Sequence, residues 1–293
     1  MTNTPVVSIV IRCKNEAAYL GAVLDAVLGQ QGTPAFEILA LDSGSSDGTL
    51  PLLRARPVQL IELPASTFTF GRALNLGARE ARGALVVYLS AHCRPMGASW
   101  LARLVAPLTE PTVAATFGRQ LPIPGVNALE ALTQERLFPA APPAGVIFSN
   151  ANAAVRRTTV LQHPFDEVIP AAEDHLWAST LDPGARIVYV ADAPVYHSHA
   201  MSFAEWRYRF FINGLAEAYL QSHGVRLPWE GAASAREIAR TRRGALARLA
   251  VTLAGRRAWG ALVRLPAYAV ARTFWYARGV RQGRRRYHTG TPA

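Results

Sequence analysis

The chain has 293 residues and a formal net charge of +11, with 50% hydrophobic and 17% charged residues. That composition buries a sizeable core and excludes a disordered chain, and the length fits one large α/β domain with an appendage. Two cysteines, Cys13 and Cys93, exclude a disulfide scaffold and a four-thiolate zinc site; both lie in apolar, strand-like runs that fit a reducing compartment.

The chain opens MTNTPVVSIVIRCKNE, without the basic and apolar regions of a secretory signal, so none is expected. Val6–Ile11 predicts a strand and Ala17–Gln30 an amphipathic helix, with Asn15 as its cap and Leu20, Val23, Leu24 and Val27 on the apolar face. Glu37–Leu41 predicts a second strand, followed by the turn DSGSSDGT, in which Asp47 caps the next helix. Val58–Glu62 predicts a third strand, Arg72–Ala81 a helix, and Leu85–Leu89 a fourth strand that is apolar throughout and so buried on both faces. Strands alternating with helices imply parallel βαβ units, whose ligands bind beyond the carboxyl ends of the strands. Those ends are polar here: Arg12–Asn15, Asp42–Asp47 and Ser90–Arg94.

Prolines 122, 124, 139, 142 and 143 then break the pattern around a helix near Asn127–Leu137. VIFSNANAAVRR predicts paired strand segments, Glu173–Ser179 the start of a helix, Ile187–Val190 a strand and Ser202–Gln221 a helix rich in aromatics. From about Ala235 the pattern is helical, interrupted by arginines and Pro266. Arg236 onward contains fourteen Arg and one Glu, a net of +13, which leaves −2 for the rest of the chain. No run of about 18 apolar residues offers a membrane span. The division expected is a domain over residues 1–200 and a helical, Arg-rich region over 201–293.

Several residues offer chemistry. Asp42, with Ser43 beside it, can accept hydrogen bonds from a ribose or base at the binding edge. His92, in YLSAHCRP, can ligate a metal, or it can be satisfied by backbone groups. Glu173 and Asp174 suit a helix start, where the dipole favours negative charge, and a pair beneath a cleft can supply a general base. His197 and His199 project to one side of an extended segment and, with His92, can chelate a metal. Arg12, Lys14, Arg72 and Arg94 can add positive charge beside a diphosphate, and each also reads as a solvated cation.

These pieces occur in one order. The stretches VVSIVIRCKNEAAYL, EILALDSGSSDGT, FTFGRALNLGAREARGALVVYLSAHCRP, FSNANAAVRR and PFDEVIPAAEDHLWA resemble the family-2 glycosyltransferases of the GT-A fold, and within them the bacterial rhamnosyltransferase-like branch. The resemblance implies a mostly parallel sheet flanked by helices and a nucleotide-diphosphate sugar bound through Arg12, Asn15, Asp42, Ser43, Arg72, Ser90 and His92. It implies Asp174 as base of an inverting transfer, with Glu173 beside it. Ser90–Ala91–His92 stands where the family has an Asp-any-Asp metal motif. A site of His92 with His197 or His199 suits Mn²⁺ better than Mg²⁺, while a metal-independent reaction would rest on arginines. The acceptor implied is a glycan or lipid-linked glycan, at the cytoplasmic face of a membrane. The alternative is a non-catalytic sensor or scaffold that binds a sugar nucleotide. The Arg-rich tail fits an anionic membrane surface, with Trp259, Tyr268, Phe274, Trp275 and Tyr276 at the interface, or an ordinary packed appendage. No motif points to nucleic acid.

Overall fold

A computed structural model of the chain describes residues 5–141, 148–197, 202–225 and 235–287. Its elements are, in order, β1 (Val7–Cys13), α1 (Ala17–Leu28), β2 (Phe36–Asp42), α2 (Thr49–Arg54), β3 (Gln59–Glu62), α3 (Phe70–Glu80), β4 (Leu85–Ser90), β5 (Arg94–Pro95), α4 (Trp100–Val105), β6 (Val113–Leu121), α5 (Ala128–Leu137), β7 (Asn152–Arg156), α6 (Arg157–Gln162), α7 (Glu173–Ser179), β8 (Arg186–Tyr196), α8 (Phe203–Ser222), α9 (Ala235–Gly255) and α10 (Trp259–Tyr287). The chain divides into two compact units. Met1–Ile123, Leu137–Val168 and Glu173–Ser198 form the first; Pro124–Arg136, Ile169–Ala172 and His199–Ala293 form the second.

The first unit holds an eight-stranded sheet in the order β3-β2-β1-β4-β7-β6-β8-β5. Strands β3, β2, β1 and β4 are parallel, as the alternation of strands and helices predicts. The sheet turns antiparallel at β7, which pairs with both β4 and β6. Within VIFSNANAAVRR, Asn152–Arg156 is strand, while Val146 and Ile147, where the first expected segment begins, lie outside the described residues.

Side chains alternate across the central strands, and that period of two builds a core on each face. Ile9 and Ile11 of β1, Ile38 of β2, and Val87 and Leu89 of β4 pack with Leu20, Val23 and Leu24 of α1 and Trp100 of α4. Val10, Leu39, Leu41, Val86 and Tyr88 face the other way, onto Leu74 of α3, Val160 of α6 and Trp177 of α7. Each fully buried Leu or Ile contributes about 1.5–3 kcal/mol.

The register decides what arrives at the carboxyl edge. Cys13 lies beside Asp42, and Arg12 beside Ser90. Because β7 runs antiparallel to β4, Asn152 pairs with Leu89, so the chain enters β7 from this same edge. Asn150 is thereby delivered next to Arg12.

In the second unit α8 and α10 approach closely. A Cβ at Gly214 would lie 2.2 Å from the carbonyl oxygen of Tyr276, and one at Gly279 2.1 Å from that of Phe211, so glycine is required at both. Ser202 starts α8 with a capping box to Glu205. Leu129, Leu253 and Leu265 form a small core joining α5, α9 and α10. Helix α10 continues through Pro266, where an interruption is expected from sequence. Among the described residues no helix is long and apolar enough to cross a membrane.

Candidate active site

The loops after β1 and β2 are laced together. Asp42, buried at the end of β2, accepts the N–H groups of Gly44 and Ser45 at 2.9 and 2.8 Å, and the Ser45 hydroxyl as well. The Ser45 oxygen accepts the N–H of Asn15, whose own side chain accepts the N–H of Ser46 at 2.8 Å. Asn15 takes a left-handed φ of 55° and does not cap α1, correcting that expectation. Asp47 serves both helices instead, accepting from Ala17 at the start of α1 and from Thr49 at the start of α2. Ser43 is buried and bonds the carbonyl of Cys13.

Arg12 points along the same edge. Its Nη2 donates to the side-chain oxygen of Asn150 at 2.8 Å, its Nη1 lies 3.6 Å from Glu173, and its guanidinium lies 5.4 Å from the centre of the Phe70 ring. Asn150 passes the link on. Its amide donates to Glu173 at 2.7 Å and its backbone N–H to Asp174 at 3.3 Å. Both carboxylates stand in the first turn of α7, where the helix dipole favours them. Burial pushes the Glu173 carboxyl up, the Asp174 charge adds to this, and Arg12 and the Asn150 hydrogen bond oppose it. Asp174 keeps 15% of its side chain exposed and also accepts the N–H of His175.

Opposite, Nδ1 of His92 lies 2.8 Å from the Glu16 carboxylate, and Nδ1 of His197 bonds the side-chain oxygen of Gln120. The two imidazoles stack with centres 5.1 Å apart. His92, Cys93 and His197 each offer one ligand atom, all within 4.8 Å of one another. With the proton of a neutral ring on Nδ1, facing these acceptors, Nε2 is the ring atom that could ligate an ion. The donor set therefore fits a divalent ion of intermediate softness better than Mg²⁺.

The structure thus groups Asn15, Asp42 and Ser43; Arg12, Glu173 and Asp174; and His92 with His197, along one edge of one sheet. Arg72 is exposed, with no side-chain hydrogen bond or ion pair to another described residue, and its backbone N–H bonds the α3 cap Thr69. Lys14 is exposed, and Arg94 stacks 5.1 Å over Tyr196. His199 lies outside the described residues. Three members are absent from the sequence reading: Glu16, Asn150 and Cys93 as a potential ligand. The only cue for Glu16 is its place three residues past β1; for Asn150, its place before a strand whose direction the sequence does not reveal.

The chain aligns over 228 residues, at 26% identity and 72% of each partner's length, with the O-antigen chain rhamnosyltransferase RfbN of Salmonella typhimurium. It is 27% identical over 197 residues, 62% of each, to the O-antigen chain rhamnosyltransferase WbaN of Salmonella anatum. Among solved structures it resembles the mannosyltransferase PcManGT of Pyrobaculum calidifontis, in complex with GDP-Man and Mn²⁺, with a TM-score of 0.62 at 21% identity over 96% of this chain and 88% of that one. Glucosyl-3-phosphoglycerate synthase of Mycobacterium tuberculosis, in complex with Mn²⁺, UDP and glucosyl-3-phosphoglycerate, gives a TM-score of 0.56 at 20% identity over 76% and 82%. Residues 8–160, which run from β1 into α6, match the family described as Glycosyl transferase family 2, so the chain belongs to the family-2 glycosyltransferases and its sheet is their GT-A fold.

Proposed function

We propose that the chain is an inverting glycosyltransferase that moves a hexosyl or deoxyhexosyl group from a nucleotide-diphosphate donor to a hydroxyl of a glycan or lipid-linked acceptor in surface-polysaccharide synthesis. The observation that carries this reading is the cluster Arg12–Asn150–Glu173–Asp174 at the edge where the Asp42 loop and the His92–His197 pair also sit. A purely binding protein has no need of a base held this way. The names of RfbN and WbaN support a deoxyhexosyl donor and an O-antigen-type product.

Asp174, the more exposed carboxylate, takes the proton of the acceptor hydroxyl as that oxygen attacks the anomeric carbon. The bond from that carbon to the diphosphate breaks on the opposite face, and one in-line displacement inverts the configuration. Glu173 and Arg12 hold the start of α7, while Asn150 aims Asp174. His92, His197 and Cys93 would hold a divalent ion, with Mn²⁺ favoured over Mg²⁺ by their donor atoms; the Mn²⁺ bound in both solved relatives supports this. Such an ion supplies positive charge to the departing diphosphate.

The test is transfer from a panel of nucleotide sugars, with and without Mn²⁺, with the anomeric configuration of the product read by NMR. Asp174→Asn is expected to lose about 10²–10⁴-fold in transfer with donor binding unchanged. An unchanged rate removes Asp174 from the base role. Donor binding by the unmodified chain without turnover on any acceptor supports the sensor reading instead.

A further inference from the structure

Helix α10 buries one side and leaves the opposite side open. Leu265, Gly279 and Gly283 are buried. Tyr268 packs edge-on against Trp206 and Phe210 of α8 at 5.1 and 5.3 Å, and Trp275 lies beneath Arg207 at 4.7 Å. The aromatics expected at an interface are therefore mostly committed to packing inside this unit. A second stripe, half a helical turn round, packs on no α8 ring among the described residues: Trp259, Val263, Val270 and Phe274 are 60, 79, 69 and 59% exposed, and Phe274 meets only the edge of its neighbour Trp275. At 100° per residue these positions share one face. Arg278, Arg281 and Arg285 continue the same line toward the end of the helix, and the lower part of the stripe forms a shallow hollow lined only by α10 residues.

We propose that this stripe docks α10, lying flat, on an anionic lipid bilayer, with Val263, Val270 and Phe274 entering the headgroup boundary and Arg278, Arg281 and Arg285 meeting lipid phosphates. An exposed apolar row of this length calls for a cover, and the charge selects which. Helix α10 contains no acidic residue. A second copy laid parallel opposes arginine to arginine, and one laid antiparallel buries arginines against valine and phenylalanine without a counter-charge. A bilayer with acidic headgroups satisfies both halves of the stripe at once. The inference does not depend on the donor, acceptor or base assignments.

The experiment is flotation of the full chain with vesicles of phosphatidylcholine alone or with about one third phosphatidylglycerol. Flotation is expected only with the acidic vesicles and falls as salt is raised. Val270→Asp with Phe274→Asp should abolish it, and Arg278→Gln, Arg281→Gln and Arg285→Gln together should weaken it on the order of 100-fold. All five positions are exposed, while Phe274 and Arg278 also touch the Trp275 ring, so circular dichroism of each variant is matched to the unmodified chain before its flotation is read. Equal flotation on neutral vesicles overturns the proposal, as does undiminished flotation of either variant. A dimer in light scattering that the Asp variant dissociates also overturns it, assigning the stripe to a second copy.

Discussion

Arg12 and Glu173 face each other at 3.6 Å across the edge of the sheet, with only 10 and 8% of their side chains exposed. A pair this deep costs desolvation on both sides, so its value appears when one partner is removed. Arg12→Met strands a buried carboxylate and Glu173→Gln a buried guanidinium; each is expected to lower stability by about 3 kcal/mol. The double variant should lose less than the sum, a coupling measurable by urea unfolding of all four proteins.

The same pair predicts a pH dependence. Burial already raises the Glu173 carboxyl above its ordinary 4.5 in the folded chain, and Arg12 opposes that rise. A carboxyl raised on folding destabilises as pH climbs from its unfolded value through its folded one. Arg12→Met lifts the folded value further, so this variant should lose more stability between pH 5 and pH 8 (roughly the window above the unfolded carboxyl) than the unmodified chain. Adding Glu173→Gln should remove the extra slope. A parallel slope with and without Arg12 refutes the electrostatic link.

How much of this was legible follows from the physics of each piece. Strands β1, β2 and β4 are continuous apolar runs, and their parallel order follows from the helices between them, so Asp42, Arg12 and His92 could be placed on one edge. Strand β6 was not read: VAATFGRQL is rich in small residues, and Gly118 is there because a Cβ would lie 2.2 Å from the carbonyl of Ala193. The short helix α4 was missed as well. Asn150 gained its role only through the antiparallel sense of β7, a tertiary choice with no local signal. Cys93 would point away from His92 in a strand, but the chain turns at Ala91 and His92, which brings both to one side. Aromatic tail residues cannot be sorted into packed and exposed until the partner helix α8 is known.

The Glu16–His92 contact predicts a graded metal phenotype. Glu16 orients the ring from behind, and loss of such a partner typically weakens metal affinity about 10–100-fold. Titration of the purified chain with Mn²⁺ should show that weakening for Glu16→Gln and loss of binding for His197→Ala, with circular dichroism unchanged for both. Glu16→Gln binding Mn²⁺ as the unmodified chain does would make the contact structural only.

Both cysteines should be silent in the metal-free native protein, since Cys93 becomes a ligand only where an ion displaces its proton. Burial pushes the Cys13 and Cys93 thiols well above their ordinary value, and the Asp42 and Glu16 charges raise Cys13 further. A thiol kept protonated and out of solvent does not attack a disulfide reagent. Ellman's reagent at pH 8 should therefore find no reactive thiol in the folded chain and both in urea; Mn²⁺ should leave the Cys13 count unchanged.

Glu37 supplies an acid-sensitive strut between β1 and β2. Burial acts to raise its carboxyl, but the Ser8 hydroxyl at 2.6 Å and the Arg82 side chain and backbone at 2.6 and 2.9 Å outweigh it and hold the carboxyl below its ordinary 4.5. A carboxyl lowered on folding stabilises above its unfolded value and loses that contribution as pH falls through the folded one. Glu37→Gln should cost about 1–2 kcal/mol at pH 7. The gap to the unmodified chain should close on acidification below about pH 4, where Glu37 takes up its proton. Urea unfolding at pH 7 and pH 3.5 measures both; a gap that persists in acid would assign the loss to altered packing rather than to the ionised carboxylate.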